Sequence, residues 1–155
     1  VRIVFSENYN LREQEIKFVQ GVVGLYFIYL ERLAVPYPFS SSRLIYIGMS
    51  ESRQNSIGLR LRGHLTGQSG NLGIRNYAAR HSTKFSYYSL DVLRRGGTGD
   101  LFQLESFFLR DFQAHLGCFP ICNGQAGIER ADVPLVPLEL RVDWRFFDES
   151  SATET

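Results

Sequence analysis

The chain has 155 residues, 44% of them hydrophobic, and a formal net charge of +1, which suits one soluble globular domain with a core of its own. Its longest apolar run, Val22 to Leu30, is too short to span a bilayer and is interrupted by Gly24, Tyr26 and Tyr29, and no amino-terminal stretch has the layout of a secretion signal. A membrane partner is therefore not expected, and a cytoplasmic, intracellular location is. The small net charge conceals an asymmetry. Residues 43–95 carry nine basic side chains against Glu51 and Asp91, whereas residues 96–155 carry four against ten acidic ones. An arginine-rich middle suits a polyanion surface, because guanidinium grips phosphate bidentately; a solvated charged face balanced by the acidic tail is the alternative.

Along the chain, a short helix is expected after Asn10, with Glu13 as a capping-box partner. The run Val22 to Leu30 reads as a buried strand, rich in β-branched and aromatic residues. Val35 to Ser42 reads as a loop, and a second strand follows from Leu44 to Gly48, ending at Ser50. Ser56 can cap a helix with Ile57, Leu61 and Leu65 on one stripe. Gly67, Gly70 and Gly73 loosen the chain before a short helix around Ile74 to Arg80. Phe85 to Leu93 reads as a third strand, and Arg94 to Gly99 as a glycine-rich turn. Asp100 then caps the longest helix, Leu101 to His115, which stops near Gly117. The tail, with Pro134, Pro137 and the alternation Leu138, Leu140, Val142, Trp144, is either an edge strand or a packed segment.

These elements predict an α+β fold: a small central, mostly antiparallel three-stranded sheet flanked by helices. The whole chain, 1–155, reads as one domain with a core over about 22–125, an amino-terminal helix or arm over 1–21 and a carboxy-terminal extension over 126–155. Val1 in place of methionine suggests a trimmed chain or a fragment with room for a neighbouring domain. Cys118 and Cys122 lack the partners a tetrahedral zinc site needs and are expected as reduced, largely buried thiols.

Three sets of residues carry candidate chemistry. Glu105 sits among Leu101, Phe102, Phe108, Leu109 and Phe112 on its helix, while Gln103, Ser106, Arg110 and Gln113 form the polar face. A carboxylate on an apolar face is either a core group paired with an arginine or a metal ligand at the edge of the core. Arg60 and His64, four apart on one helix, share a face and suit phosphate chemistry: the guanidinium neutralises developing charge and the imidazole relays a proton. A routine exposed pair is the alternative. Gly63 between them weakens the helix by about 1 kcal/mol, which makes sense if a backbone or ligand approaches there. Tyr26 shares a strand face with Gly24, and Tyr46 with Gly48, glycines that remove bulk beside each ring and would open a cleft. On strands, tyrosines otherwise serve as packing.

Taken in order, Gly24-Leu25-Tyr26, Tyr46-Ile47-Gly48, Arg60 with His64 in an R-x-x-x-H helix, Glu105 in a later helix, and Asn123 after a proline-containing turn resemble the GIY-YIG nucleases. The six positions extend over about two thirds of the chain. Leu25 replaces the isoleucine of the family name, a mild apolar swap. The segment Val35 to Ser42 lengthens the loop between the strand motifs, so the chain looks more like restriction-type members. The spacing from Glu105 to Asn123 is longer than the family pattern.

The resemblance implies a metal-dependent DNA endonuclease hydrolysing a phosphodiester, with one Mg2+ or Mn2+ per active site held on Glu105. It implies Tyr26 as general base, His64 as its hydrogen-bond partner or proton relay, Tyr46 positioning the nucleophile or phosphate, Arg60 clamping the scissile phosphate and Asn123 supporting the site. DNA is the implied partner, with Arg53, Arg62, Arg75, Arg80 and Lys84 as candidate nucleic-acid contacts. A double-strand break would require a homodimer or transient pairing of two sites. A non-catalytic or structure-specific DNA-binding or repair module on the same fold is the alternative.

Overall fold

The computed structural model describes residues 1–7, 9–124 and 137–148. In chain order the elements are β1 (Arg2–Ile3), β2 (Tyr9–Asn10), α1 (Glu13–Ile16), β3 (Gly24–Leu30), β4 (Val35–Pro36), β5 (Ser41–Ser42), β6 (Leu44–Ser50), α2 (Ile57–Thr66), α3 (Leu72–Arg80), β7 (Thr83–Ser89), α4 (Leu90–Leu93), α5 (Leu101–Leu116) and β8 (Arg141–Val142). Short 3-10 turns follow α1, α4 and β8.

The architecture is α+β, built on an antiparallel sheet in the order β2-β7-β3-β6. Every residue of β3 is buried, as expected for a central strand with both faces covered. The sheet has four strands rather than the predicted three. The added edge, β2, pairs only Tyr9 with Phe85 and Asn10 with Lys84, too short a stretch to show alternation in sequence. Its neighbour β7 ends at Ser89, not Leu93, and the remaining residues turn into α4.

Pleating sends neighbouring side chains of β3 to opposite faces. Phe27 meets Phe5 and Phe108 of α5, with ring centroids 4.8 and 5.4 Å away. Tyr26 meets His64 of α2. The long helix begins as expected: Asp100 Oδ1 accepts from the Phe102 N–H at 2.9 Å, and Gly117, at φ 98°, ends it in the left-handed region. Its apolar face is wider than predicted, because Ser106 is fully buried. Helix α2 is capped by Ser56, whose Oγ accepts from the Leu59 N–H at 3.4 Å. At the shorter α1, Glu15 rather than Glu13 reaches back to the Asn10 N–H, at 3.0 Å. Glu13 instead faces Arg62.

The predicted loop 35–42 contains a small hairpin, with Val35 opposite Ser42. Both readings of the tail hold in part. Arg141–Val142 pairs in parallel with Arg2–Ile3 as a separate two-stranded ribbon, and Trp144 and Phe147 then pack into the core beside Phe5. Residues 126–136 and 149–155 of the predicted extension, Pro134 among them, lie outside the described residues. Among the described residues no helix is long and apolar enough to cross a membrane.

Candidate active site

The cluster begins with a glycine. In the register of β3 and β6, Tyr26 lies opposite Gly48, and a Cβ at position 48 would lie 2.5 Å from Tyr26 Oη and 2.7 Å from Tyr46 Cε2. The missing side chain is therefore filled by the tyrosine rings themselves, not by the ligand cleft expected from sequence. Gly24 has a different role, since a Cβ there would strike the backbone carbonyl of Tyr88 on β7. No protein backbone crowds Gly63: the nearest atoms to a Cβ there belong to Ser69, at 3.7 and 3.8 Å, ordinary contact distances.

The rings of Tyr26, Tyr46 and His64 converge, with centroids 6.0 Å apart for the two tyrosines, 5.9 Å for Tyr26 and His64, and 5.1 Å for Tyr46 and His64. Tyr26 Oη lies 2.9 Å from His64 Nε2, and the Arg60 guanidinium and the Tyr46 phenol both act on it electrostatically. Arg60 links the rings to α5, for it feels the charge of Glu105 as well as both phenols. Thus five of the six predicted site residues gather in one region. Tyr26 is fully buried, His64 and Glu105 are 4% and 5% exposed, and Tyr46 and Arg60 are half-buried. Beside them a depression of about 320 Å³ is lined by Asn55, Leu59, Arg60, Gly63, His64, Gln68 and Ser69. Arg60 Nε is buried with no hydrogen-bond partner among the described residues, a donor suited to an anionic oxygen.

Burial and then the Arg60 charge lower the His64 pKa to about 4, so the ring is neutral at pH 7 and has one lone pair to offer. Burial and then Tyr46 push the Tyr26 phenol well above its ordinary range, and Arg60 only partly opposes them. Desolvation outweighs the guanidinium, and Tyr26 rests as a phenol. Burial also opposes the Arg60 charge, but Tyr26, Tyr46 and Glu105 outweigh it and raise the pKa of the guanidinium.

Asn123 pairs with the backbone of β6. Its Oδ1 accepts from the Ile47 N–H at 2.9 Å and its Nδ2 donates to the Ile47 carbonyl at 2.8 Å. It acts as a one-residue strand partner for β6, bracing the segment that carries Tyr46 rather than facing a substrate. Of the predicted nucleic-acid contacts, Arg53, Arg75 and Arg80 are exposed, and Arg62 is half-buried against Glu13 at 3.2 Å. Lys84 is not available: it is 7% exposed, with Nζ 2.7 Å from Glu7. Arg43, counted in the basic middle, is likewise 7% exposed and holds the tail, donating to the carbonyls of Leu30, Glu31, Phe146 and Asp148.

Sequence reasoning missed Ser69, whose Oγ lies 2.8 Å from His64 Nδ1, and Asn71, whose Nδ2 donates to the Cys122 carbonyl at 2.9 Å. Neither sits in a periodic pattern; the one available signal was a serine and an asparagine closely following the R-x-x-x-H helix. Among the described residues no group of three or more His, Cys, Asp or Glu could hold a metal ion. One buried carboxylate in electrostatic reach of Arg60 still fits a hard cation whose remaining ligands are waters and phosphate oxygens. Cys122 is buried and Cys118 half-buried, both free thiols, as expected. No protein-family model, curated protein or solved structure matches the chain.

Proposed function

We propose that this chain is a metal-dependent DNA endonuclease of the GIY-YIG type, restriction-like in its lengthened inter-strand loop. The observation that carries the reading is the convergence of two phenols, a neutral imidazole and a half-buried guanidinium, with Glu105 in electrostatic reach of that guanidinium.

Because Tyr26 has no exposed surface, Tyr46 is the phenol that meets the attacking water. Water gives a proton to Tyr46 Oη, Tyr46 passes its own to Tyr26 Oη, and Tyr26 passes its own to His64 Nε2. The incipient hydroxide forms a bond to phosphorus as the opposite P–O bond breaks, and solvent protonates the departing oxygen. Arg60 donates to the phosphoryl oxygens, where its unpartnered Nε–H adds to the charge stabilisation. A magnesium or manganese ion on Glu105 would supply Lewis-acid stabilisation of phosphoryl oxygens. The reading carries with it an intracellular DNA substrate approached across Arg53, Arg75 and Arg80, and pairing of two copies for a double-strand break.

Incubation with mixed plasmid and genomic DNA plus magnesium, with the ends mapped, tests it. Discrete fragments support a restriction-type role. Tyr26→Phe, Arg60→Ala and Glu105→Ala should each abolish cleavage with the fold intact. Near-native cleavage by any of these variants removes that residue from the mechanism, and no cleavage by the wild type removes the mechanism. The complete burial of Tyr26 favours one second reading, a non-cutting DNA-binding module on the same fold; retained DNA binding without product ends would identify it.

A further inference from the structure

We propose that Ser69 is a positioning residue that fixes the tautomer of the His64 ring, so that Nε2 keeps its lone pair for the Tyr26 hydroxyl. The inference rests on the proposed nuclease reading and adds a support for its proton relay.

A neutral imidazole has one N–H and one lone pair, and the partner of one nitrogen decides the role of the other. His64 has a partner at each end: Tyr26 Oη at 2.9 Å from Nε2 and Ser69 Oγ at 2.8 Å from Nδ1. The Arg60 guanidinium, whose charge acts on Tyr26, can only donate and so offers the phenol no lone pair. The phenol must then place its own proton on a lone pair, and Nε2 is the basic one within reach. The ring proton therefore sits on Nδ1 and is donated to Ser69 Oγ. When Tyr26 transfers its proton, Nε2 gains an N–H, the Tyr26 O–H bond breaks, and the Nδ1–H bond to Ser69 is retained and strengthened by the charge.

Ser69 is itself held in place. Its N–H donates to the Gly63 carbonyl at 3.0 Å, and its Oγ accepts from the Asn71 N–H at 3.2 Å. Asn71 caps α3 by accepting from the Ile74 N–H at 3.1 Å, and its Nδ2 holds the Cys122 carbonyl next to the Asn123 brace. The turn after α2 thus joins the imidazole to the segment that secures Tyr46.

The test is a long-range proton–nitrogen correlation spectrum of the 15N-labelled full chain at pH 7, beside cleavage kinetics with magnesium and plasmid DNA. The wild type should show a protonated Nδ1 and an unprotonated Nε2. Ser69→Ala should mix or reverse that pattern, lower kcat on the order of 10-fold or more with little change in KM, at the lower end of what general acid–base assistance contributes, and displace the pH–rate profile. Ser69→Thr, which keeps the hydroxyl, should restore all three. A wild-type ring protonated on Nε2, or ring signals unchanged in Ser69→Ala, overturns the inference. If the wild type does not cut DNA, the nuclease reading fails, and the ring signals still decide whether Ser69 sets the tautomer.

Discussion

Replacing Gly48 with alanine tests the origin of the ring cluster most directly. The new methyl group would lie 2.5 Å from Tyr26 Oη and 2.7 Å from Tyr46 Cε2, well inside ordinary contact distance. Tyr46 is half-buried and can swing outward, but Tyr26 is fully enclosed and tied to His64, so the strain falls on Tyr26. Overpacking of this kind costs about 1–3 kcal/mol. In a chain of 155 residues that corresponds to a fall in Tm of roughly 2–12 °C. A displaced phenol also loses its relay to Nε2, and cleavage should drop on the order of 100-fold. The assay is thermal and urea denaturation of Gly48→Ala alone and with Tyr26→Leu, which removes the far end of the ring. The alanine should cost at least about 1 kcal/mol less in the leucine background. Wild-type stability of Gly48→Ala, or an identical cost in both backgrounds, would refute the idea that residue 48 is glycine to admit the ring.

Two further expectations concern the supports of the cluster. The His64 pKa of about 4 in the folded chain lies below its unfolded value near 6.5. The unfolded state therefore takes up the proton first, and stability is intact above about pH 6.5 and declines toward pH 4, by up to ~3 kcal/mol. Urea midpoints at pH 7 and 4.5 should show a smaller acid loss in His64→Gln than in the wild type, and equal losses would contradict the assignment. Asn123→Ala removes two hydrogen bonds to Ile47 and should destabilise by about 1–3 kcal/mol, with a smaller loss of cleavage than Tyr26→Phe; a loss as complete as that of Tyr26→Phe, at unchanged stability, would return Asn123 to the reacting atoms.

Periodicity made the scaffold legible. The run Gly24 to Leu30 and the helix opened by Asp100 carry their patterns within one element, so strand, helix and cap could be placed before any contact was known. The convergence of Tyr26, Tyr46, Arg60 and His64 was legible only through the resemblance, because nothing local ties residue 26 to residue 64. Burial of charge was not legible at all. Lys84 and Arg43 add to the basic total of the middle segment, yet one is sealed by Glu7 and the β2 edge, and the other by backbone carbonyls of the tail. Both partners are distant in sequence, and a charge count cannot tell a solvated guanidinium from one that holds the termini to the sheet. Ser69 escaped for a related reason: an exposed serine between glycines reads as loop, and its role depends on the turn after α2 folding back onto His64.

The same geometry separates what the fold alone requires from what chemistry requires. A tyrosine opposite a glycine on a central strand satisfies packing without any activity, and Phe27 next to it does so on the other face. Packing does not explain why the buried hydroxyl meets a neutral histidine as well as a guanidinium, since one acceptor would satisfy the phenol. Nor does it explain a guanidinium with a buried, unpartnered Nε–H beside an open depression, which would be better replaced by an apolar side chain if stability were the only requirement. On the proposed reading, both arrangements gain a use: an anionic oxygen would take the Arg60 Nε–H, and a proton would pass toward His64. The excess of polar groups over the needs of packing, rather than the tyrosines that give the motif its pattern, is the physical ground for reading this cluster as a phosphodiester site.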